Sequence, residues 1–441
     1  MSALPVTELR RARPAAGLLA SMLVLTLASA FVPALTPWPA AACAWSAAAL
    51  LWPRLPQRQR RQALGMAGIG VAGMLAGVLS GVPADLRLAA TGNQTLIGLL
   101  CAVSFLRLVT MPDAQTRSEA LPRGRTALWR TLLGVHLFGA VINIPAVFIL
   151  ADRLLRNGRL GRRAALVLTR GFCACTFWSP FFAAMAAALN FAPGARLGII
   201  ILTGLPLAAL ALWLTALDTD DGRRNTRGAG FVGYPMHLRT LAVPGALVGL
   251  VLGTHLLWPQ TGITTIVTLY APLLCLVVLL GRRGRAGLHA FAGHALRRLG
   301  DGAPELVLFL AAGLLAAGIT GLLAATGGQL PFVRFGPIEA SLTLLLIVAA
   351  AFAGVHPVIA ITTFGTWLAP LAPDPTLLTS TLTMGWAIGV PAGPLSGLHL
   401  SMQGRYGIPV FAFQRWNSRY IPKLLAASIL ALHLQAALRG L

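Results

Sequence analysis

Residues 131–150 read TLLGVHLFGAVINIPAVFIL, the only apolar stretch between two strongly basic segments, 117–130 and 153–163. Basic segments mark the cytoplasmic side of a membrane protein, so both flanks belong there. One full span between them would put one flank on the wrong side. Val141-Ile142-Asn143-Ile144-Pro145 resolves the conflict. Proline donates no backbone hydrogen bond and biases the residue before it away from helix. The arms left on either side have about 10–14 residues, or about 15–20 Å of helix, too short for a hydrocarbon core of about 30 Å. The stretch reads as a re-entrant hairpin, 128–153, that enters and leaves on the cytoplasmic face. One Pro-kinked span with a misplaced loop is the plainer alternative.

The rest of the chain agrees with a membrane setting. It has 441 residues, 56% hydrophobic and 11% charged, against about 25% charged in a soluble protein. The net charge of +23 is not a nucleic-acid signal, because 29 of the 35 Arg and Lys fall in seven short segments: 10–13, 54–61, 117–130, 153–163, 223–239, 282–298 and 405–423. A nucleic-acid surface would gather them in one patch with aromatic partners. The seven segments are assigned to the cytoplasm. The N-terminus, with Arg10, Arg11 and Arg13 before an apolar run, fits a retained first helix; a cleaved signal peptide is the alternative. Five cysteines, all in apolar runs, have no zinc-type spacing with histidine. Cys173 and Cys175 read as small buried residues rather than a soft-metal site, and no metal or cofactor is expected.

Spans are expected near 16–35, 38–52, 64–82, 92–110, 164–190, 197–216, 240–258, 262–280, 304–326, 377–403 and 421–440. The apolar stretch 338–371 breaks at Gly354-Val355-His356-Pro357 and has no basic flank beyond Arg334, so it reads as a second hairpin that enters from outside. The spans after the hairpins are interrupted at Thr176-Phe177-Trp178-Ser179-Pro180 and at Gly389 to Gly397. From Pro145 to Pro180 is 35 residues, and from Pro357 to Pro394 is 37. The expected organisation is all-α and polytopic, with about 11 transmembrane helices and two re-entrant hairpins in two inverted-topology repeats. Its segments are 1–37, a basic N-terminus and first helix; 38–217, the first repeat; 218–239, a cytoplasmic linker; and 240–441, the second repeat. The N-terminus falls in the cytoplasm and the C-terminus in the periplasm.

This layout resembles the ion-transporter superfamily, which includes divalent-anion:sodium symporters, membrane subunits of tripartite dicarboxylate transporters and arsenite-efflux pumps. The resemblance covers nearly the whole chain and lies in architecture and break positions. The symporters carry Ser-Asn-Thr at each hairpin tip. The first tip here, Ile142-Asn143-Ile144, keeps the asparagine, and the second, Val355-His356-Pro357, keeps none of it. The resemblance implies a bacterial inner-membrane secondary transporter that works as a homodimer. Its scaffold would be about 38–110 and 240–326, and the hairpins with their following spans would move.

Breaks at membrane depth free backbone groups, so they survive where they line a cavity or are buried in protein. Helix N-termini there favour an anion. The expected substrate-binding residues are Asn143, Pro145, Thr176, Ser179, Pro180, Gly354, His356, Pro357, Gly393, Pro394 and Ser396. None of the twelve acidic residues lies deep in an expected span, which disfavours a cation and favours a small anion, with an organic carboxylate expected. The coupling ion is left as Na+ or H+. His356 is a candidate proton carrier or a packing residue, and Arg170 either meets the substrate anion or snorkels to the cytoplasmic face. His136 and His399 read as structural, Asp152 and Arg153 as boundary markers, Gly65 to Gly81 as close helix packing, and Gly92-Asn93-Gln94-Thr95 as a helix start. The competing readings are a lipid or polyprenyl-phosphate enzyme, whose acidic motif or catalytic loop is not seen, and a channel or accessory subunit.

The sidedness argument has a direct check. Single cysteines placed at Arg125 and Arg159 are predicted to react with an impermeant maleimide only from the cytoplasm. Labelling of either from the periplasm contradicts the first hairpin.

Overall fold

The computed structural model describes residues 6–110, 121–155, 158–220, 230–234, 242–328, 330 and 332–441, with side chains from residue 12 onward. Most of the expected linker 218–239 and part of the basic segment 117–130 lie outside the described residues. Within them the protein is helical, with one isolated bridge, Arg123 to Val232, and no strand.

The helices run α1 (Val6–Phe31), α2 (Trp38–Leu51), α3 (Gln57–Leu79), α4 (Leu86–Thr91), α5 (Gln94–Ser104), α6 (Arg107–Thr110), α7 (Arg125–Ile142), α8 (Pro145–Leu154), α9 (Arg162–Cys173), α10 (Ala183–Phe191), α11 (Leu197–Thr219), α12 (Ala242–Leu257), α13 (Ile263–Arg283), α14 (Arg285–Arg297), α15 (Ala303–Ala325), α16 (Pro337–Phe352), α17 (Pro357–Leu368), α18 (Pro375–Ala392), α19 (Gly397–Tyr406), α20 (Val410–Trp416) and α21 (Tyr420–Arg439). Among the described residues, seven stretches are long and apolar enough to cross a membrane: Ala12–Phe31, Gln57–Leu79, Leu86–Thr110, Leu197–Thr219, Ile263–Arg283, Arg285–Ala325 and Tyr420–Arg439. Several of the long helices turn large apolar side chains outward, among them Leu79, Leu202, Val277 and Leu430. Water would penalise such faces and lipid accepts them. The other expected spans are short, as α2 and α12 are, or are broken in two.

The chain divides into two compact units: residues 1–111 with 245–331, and residues 112–244 with 332–441. Each takes one piece from each half of the sequence. The helices that precede the hairpins make the first unit. The hairpins and everything that follows them in each half make the second.

In the first unit α3 lies against α15 with almost no side chain between them. Gly70, Gly73 and Gly77 face Leu314, Gly318 and Gly321, and a Cβ at any of these glycines would strike backbone of the opposite helix. Within the run Gly65 to Gly81 read as close packing, Gly70, Gly73 and Gly77 have that role, and Gly65, Gly68 and Gly81 do not. The start at Gly92-Asn93 also holds: Gln94 opens α5, and Asn93 Nδ2 donates to the buried Phe309 O at 2.9 Å. The span expected at 92–110 falls within the apolar stretch Leu86–Thr110 and turns at Phe105–Leu106, where the Phe105 carbonyl accepts from Cys275 Sγ at 3.1 Å. The basic segment 282–298 is helical through most of its length. Gly284, at φ +53, turns the chain, and α14 lies back against α13 and α1, with His294 Nε2 2.9 Å from Ser104 Oγ.

In the second unit α18 is the axis, with every residue from Thr376 to Ala392 buried. Asp374 caps it, accepting from Leu377 N at 2.8 Å and from Arg439 Nη2 at 2.7 Å. Partial burial pushes the Asp374 carboxyl up, but the Arg439 guanidinium and the cap N–H outweigh that and hold it below the ordinary carboxylate range. Its folded pKa is depressed, so its contribution is present at neutral pH and fades as pH falls through that lowered value.

The glycine contact sets a contrast. Gly73→Leu or Gly318→Leu should destabilise the first unit by about 3 kcal/mol or prevent its folding. Gly68→Leu, where a Cβ meets nothing within 4 Å, should leave the melting temperature near wild type. Equal melting temperatures for all three variants in detergent would contradict the close approach.

Candidate functional site

The first hairpin turns at one residue. Helix α7 ends at Ile142, and Asn143 adopts φ 62 and ψ −148. That region is nearly exclusive to glycine, so an asparagine there stores strain. Its amide N–H closes on Gly139 O at 3.0 Å, and Pro145 opens α8 at a position whose N–H would have no partner anyway. The interrupted span fastens this tip. Asn143 Nδ2 donates to Phe181 O at 3.2 Å. Ser179 Oγ donates to Ala140 O at 2.5 Å and accepts from Phe181 N at 3.3 Å.

A ring network sits behind it. Trp178 Nε1 donates to His136 Nε2 at 3.0 Å, so the His136 proton is on Nδ1, which donates to Gly171 O at 3.1 Å. Cys175 Sγ donates to His136 O at 2.8 Å. Cys173, Cys175 and Thr176 are buried, in keeping with the reading of both cysteines as small packing residues.

The second hairpin repeats the plan with other residues. Helix α16 ends at Phe352, and Gly354 makes the turn at φ +99 against the Leu395 side chain. His356 Nδ1 caps α17 by accepting from Val358 N at 3.1 Å, and the buried Pro357 opens that helix. The ring meets Trp386 edge-on, with centroids 6.0 Å apart. After α18 the chain breaks at Gly393 and Pro394, both buried. Ser396 caps α19 by accepting from His399 N at 3.3 Å, and His399 Nδ1 donates to Gly393 O at 2.9 Å.

The two tips correspond in detail. Ala140 lies three residues before the positive-φ Asn143, and Ala351 lies three before the positive-φ Gly354. The Ala140 carbonyl meets Ser179, the residue before Pro180. The Ala351 carbonyl accepts from the Gly354 N–H at 2.9 Å, and a Cβ on Gly393, the residue before Pro394, would lie 3.0 Å from that oxygen. In both halves the later break lies against this tip carbonyl, but only in the first half does a side chain bond the two.

The structure thus brings Asn143, Pro145, Ser179 and Pro180 together around one tip, and Gly354, His356, Pro357, Gly393, Pro394 and Ser396 around the other. All belong to the second unit. Asn143, Pro145, Gly354 and His356 are half-buried, while Ser179 and Ser396 are buried. The hydroxyls of Ser179 and Ser396 engage freed backbone rather than standing open. Arg170 neither snorkels nor sits at a tip. It is 1% exposed and pairs with Asp218 at 2.7 Å. Asp152, expected at the membrane boundary, lies on the last turn of α8 and is joined to Arg405 and to Tyr406 OH at 2.7 Å. The described acidic residues on helices lie in first or last turns. Asn417, which bonds to Arg170, was not marked by the sequence: it lies between Trp416 and Ser418 in a basic stretch, and nothing local signals a buried amide.

Fold and site together define a polytopic, all-α membrane protein with two broken hairpins, each docked on an interrupted helix. No family model matches the chain, and no curated protein does. Among solved structures, the YdaH transporter of Alcanivorax borkumensis, described as having an unusual topology, is similar with a TM-score of 0.46. Identity is 18%, over 85% of this chain and 87% of that one.

The tip geometry makes a prediction that separates strain from bonding. Asn143→Gly loses the bond to Phe181 O, about 1 kcal/mol, but releases the strain of the turn, so it should be at least as stable as wild type. Asn143→Ala loses the same bond and keeps the strain, so it should fall about 1 kcal/mol below wild type and about 1–3 kcal/mol below the glycine variant. Thermal unfolding in detergent measures both, and an alanine variant as stable as the glycine variant contradicts the turn.

Proposed function

We propose that this chain is a secondary active transporter of a small anion, an organic carboxylate, working by an elevator-type alternating-access mechanism. The observation that carries the reading is the matched pair of tips and breaks in the second unit. Broken helices at membrane depth are costly unless their freed groups are buried or line a cavity, and here each of two hairpin tips lies against a later break. Helices α8, α10, α17 and α19 all start at these breaks, and helix starts present N–H groups and partial positive charge. With no acidic residue mid-helix among the described residues, an anion meets no opposing fixed charge there.

In this reading the two halves are inverted repeats and the hairpins are re-entrant from opposite faces. The second unit would move as one body. The protein would be a homodimer in a bacterial inner membrane, N-terminus inside and C-terminus outside. Coupling is to H+ or Na+, with His356 the proton candidate.

Proteoliposome uptake of radiolabelled acetate, succinate, citrate and glutamate tests the proposal. At least one should be taken up against its gradient. Asn143→Ala and Ser396→Ala should each weaken apparent affinity about 5- to 150-fold, the effect of one buried hydrogen bond. His356→Asn keeps a cap acceptor and removes the titrating ring, so it should flatten the pH profile if the coupling ion is a proton. No uptake of any of the four, or wild-type kinetics in both Asn143→Ala and Ser396→Ala, overturns the reading.

A further inference from the structure

We propose that Arg170 and Asn417 are positioning residues that hold the second break in register with the first, so that the two halves of the candidate site keep a fixed separation. This rests on the transport reading above and names residues that act on its site without touching substrate.

Arg170 lies in the last turn of α9, and its carbonyl accepts the N–H of Ala174, where the first break begins. Each of its three nitrogens has a partner. Nε donates to Asn417 Oδ1 at 2.7 Å, Nη1 to Asp218 Oδ2 at 2.7 Å and Nη2 to Trp416 O at 3.0 Å. The guanidinium carbon stands 4.2 Å from the centre of the Tyr420 ring. Only a planar fork satisfies those three acceptors while stacking on an aromatic face.

Asn417 passes the constraint on. It is fully buried, and its Nδ2 donates to Pro391 O at 2.9 Å. Pro391 is in the last turn of α18, where carbonyls have no partner within the helix. Gly393, Pro394 and Ser396 follow at once. The amide has one workable orientation: turned over, it would set its NH₂ against the guanidinium and its oxygen against the Pro391 carbonyl. Arg170 thus orients Asn417, and Asn417 holds the end of α18. The path runs from one turn before the first break to the last turn before the second, between residues 247 apart in sequence.

Asn417→Asp separates the two bonds. A carboxylate still accepts from Arg170 but cannot donate to Pro391 O. In full-length protein, hydrogen exchange read by mass spectrometry should show the amides of 393–396 exchanging about tenfold faster, with other second-unit helices at wild-type rates. The melting temperature should fall by a few degrees, as the loss of one buried hydrogen bond requires. In uptake of the four carboxylates above, KM should rise about tenfold with a smaller change in maximal rate. Arg170→Lys, which keeps the charge and loses the fork, should give the same pattern and serves if the first variant does not fold. Unchanged exchange at 393–396 overturns the proposal, as does faster exchange there with wild-type KM. If the wild type takes up none of the four, the transport reading fails, while exchange still decides whether this pair holds the break.

Discussion

Everything in the second unit follows from one requirement: a helix broken in the dry part of a membrane must find partners for the backbone it frees. Proline and glycine make the breaks at 143–145, 177–182, 353–356 and 393–396. Side chains and neighbouring backbone then complete them. Ser179 takes the Ala140 carbonyl, Asn143 the Phe181 carbonyl, His356 the Val358 N–H, Ser396 the His399 N–H and Asn417 the Pro391 carbonyl. Ser179, Asn143 and Asn417 reach in from another segment, while His356 and Ser396 cap the helices that start at their own breaks. Removing one partner leaves a buried group unmet, at about 1–3 kcal/mol. A break of this kind is held in one geometry, as a binding site requires.

The first unit meets the membrane differently. Among the described residues it has no matched break pair, and its α3–α15 contact is made by removing side chains. The α3 and α15 backbones touch through Gly70, Gly73, Gly77, Gly318 and Gly321. Lipid supplies no hydrophobic drive for helices to associate, so dispersion between closely fitted backbones takes its place. Backbone contact of this kind resists sliding.

Much of this was legible before any coordinates. The prolines at 145, 180, 357 and 394 located both helical turns and both later helix breaks, because proline acts locally. Side-chain partnership was not legible. Asn143 stood out as a polar residue at a tip, but its positive φ is a backbone property that the letter does not carry. Arg170 looked like a lone charge in an apolar run because Asp218 and Asn417 reach it from distant parts of the chain. The segment 282–298 was marked only by its arginines, which cluster at its two ends, while Leu288, Phe291 and His294 give it a helical face. The break at Phe105–Leu106 carries neither proline nor glycine and left no mark.

The central claim is that two hairpins of common design open to opposite faces of the membrane. The most direct measurement is labelling of single cysteines at Val333 and Ala372, the exposed feet of the second hairpin, by an impermeant maleimide in vesicles of known orientation. The account predicts that both react only from the periplasmic side, opposite to the feet of the first hairpin. Reaction of either from the cytoplasm would contradict it.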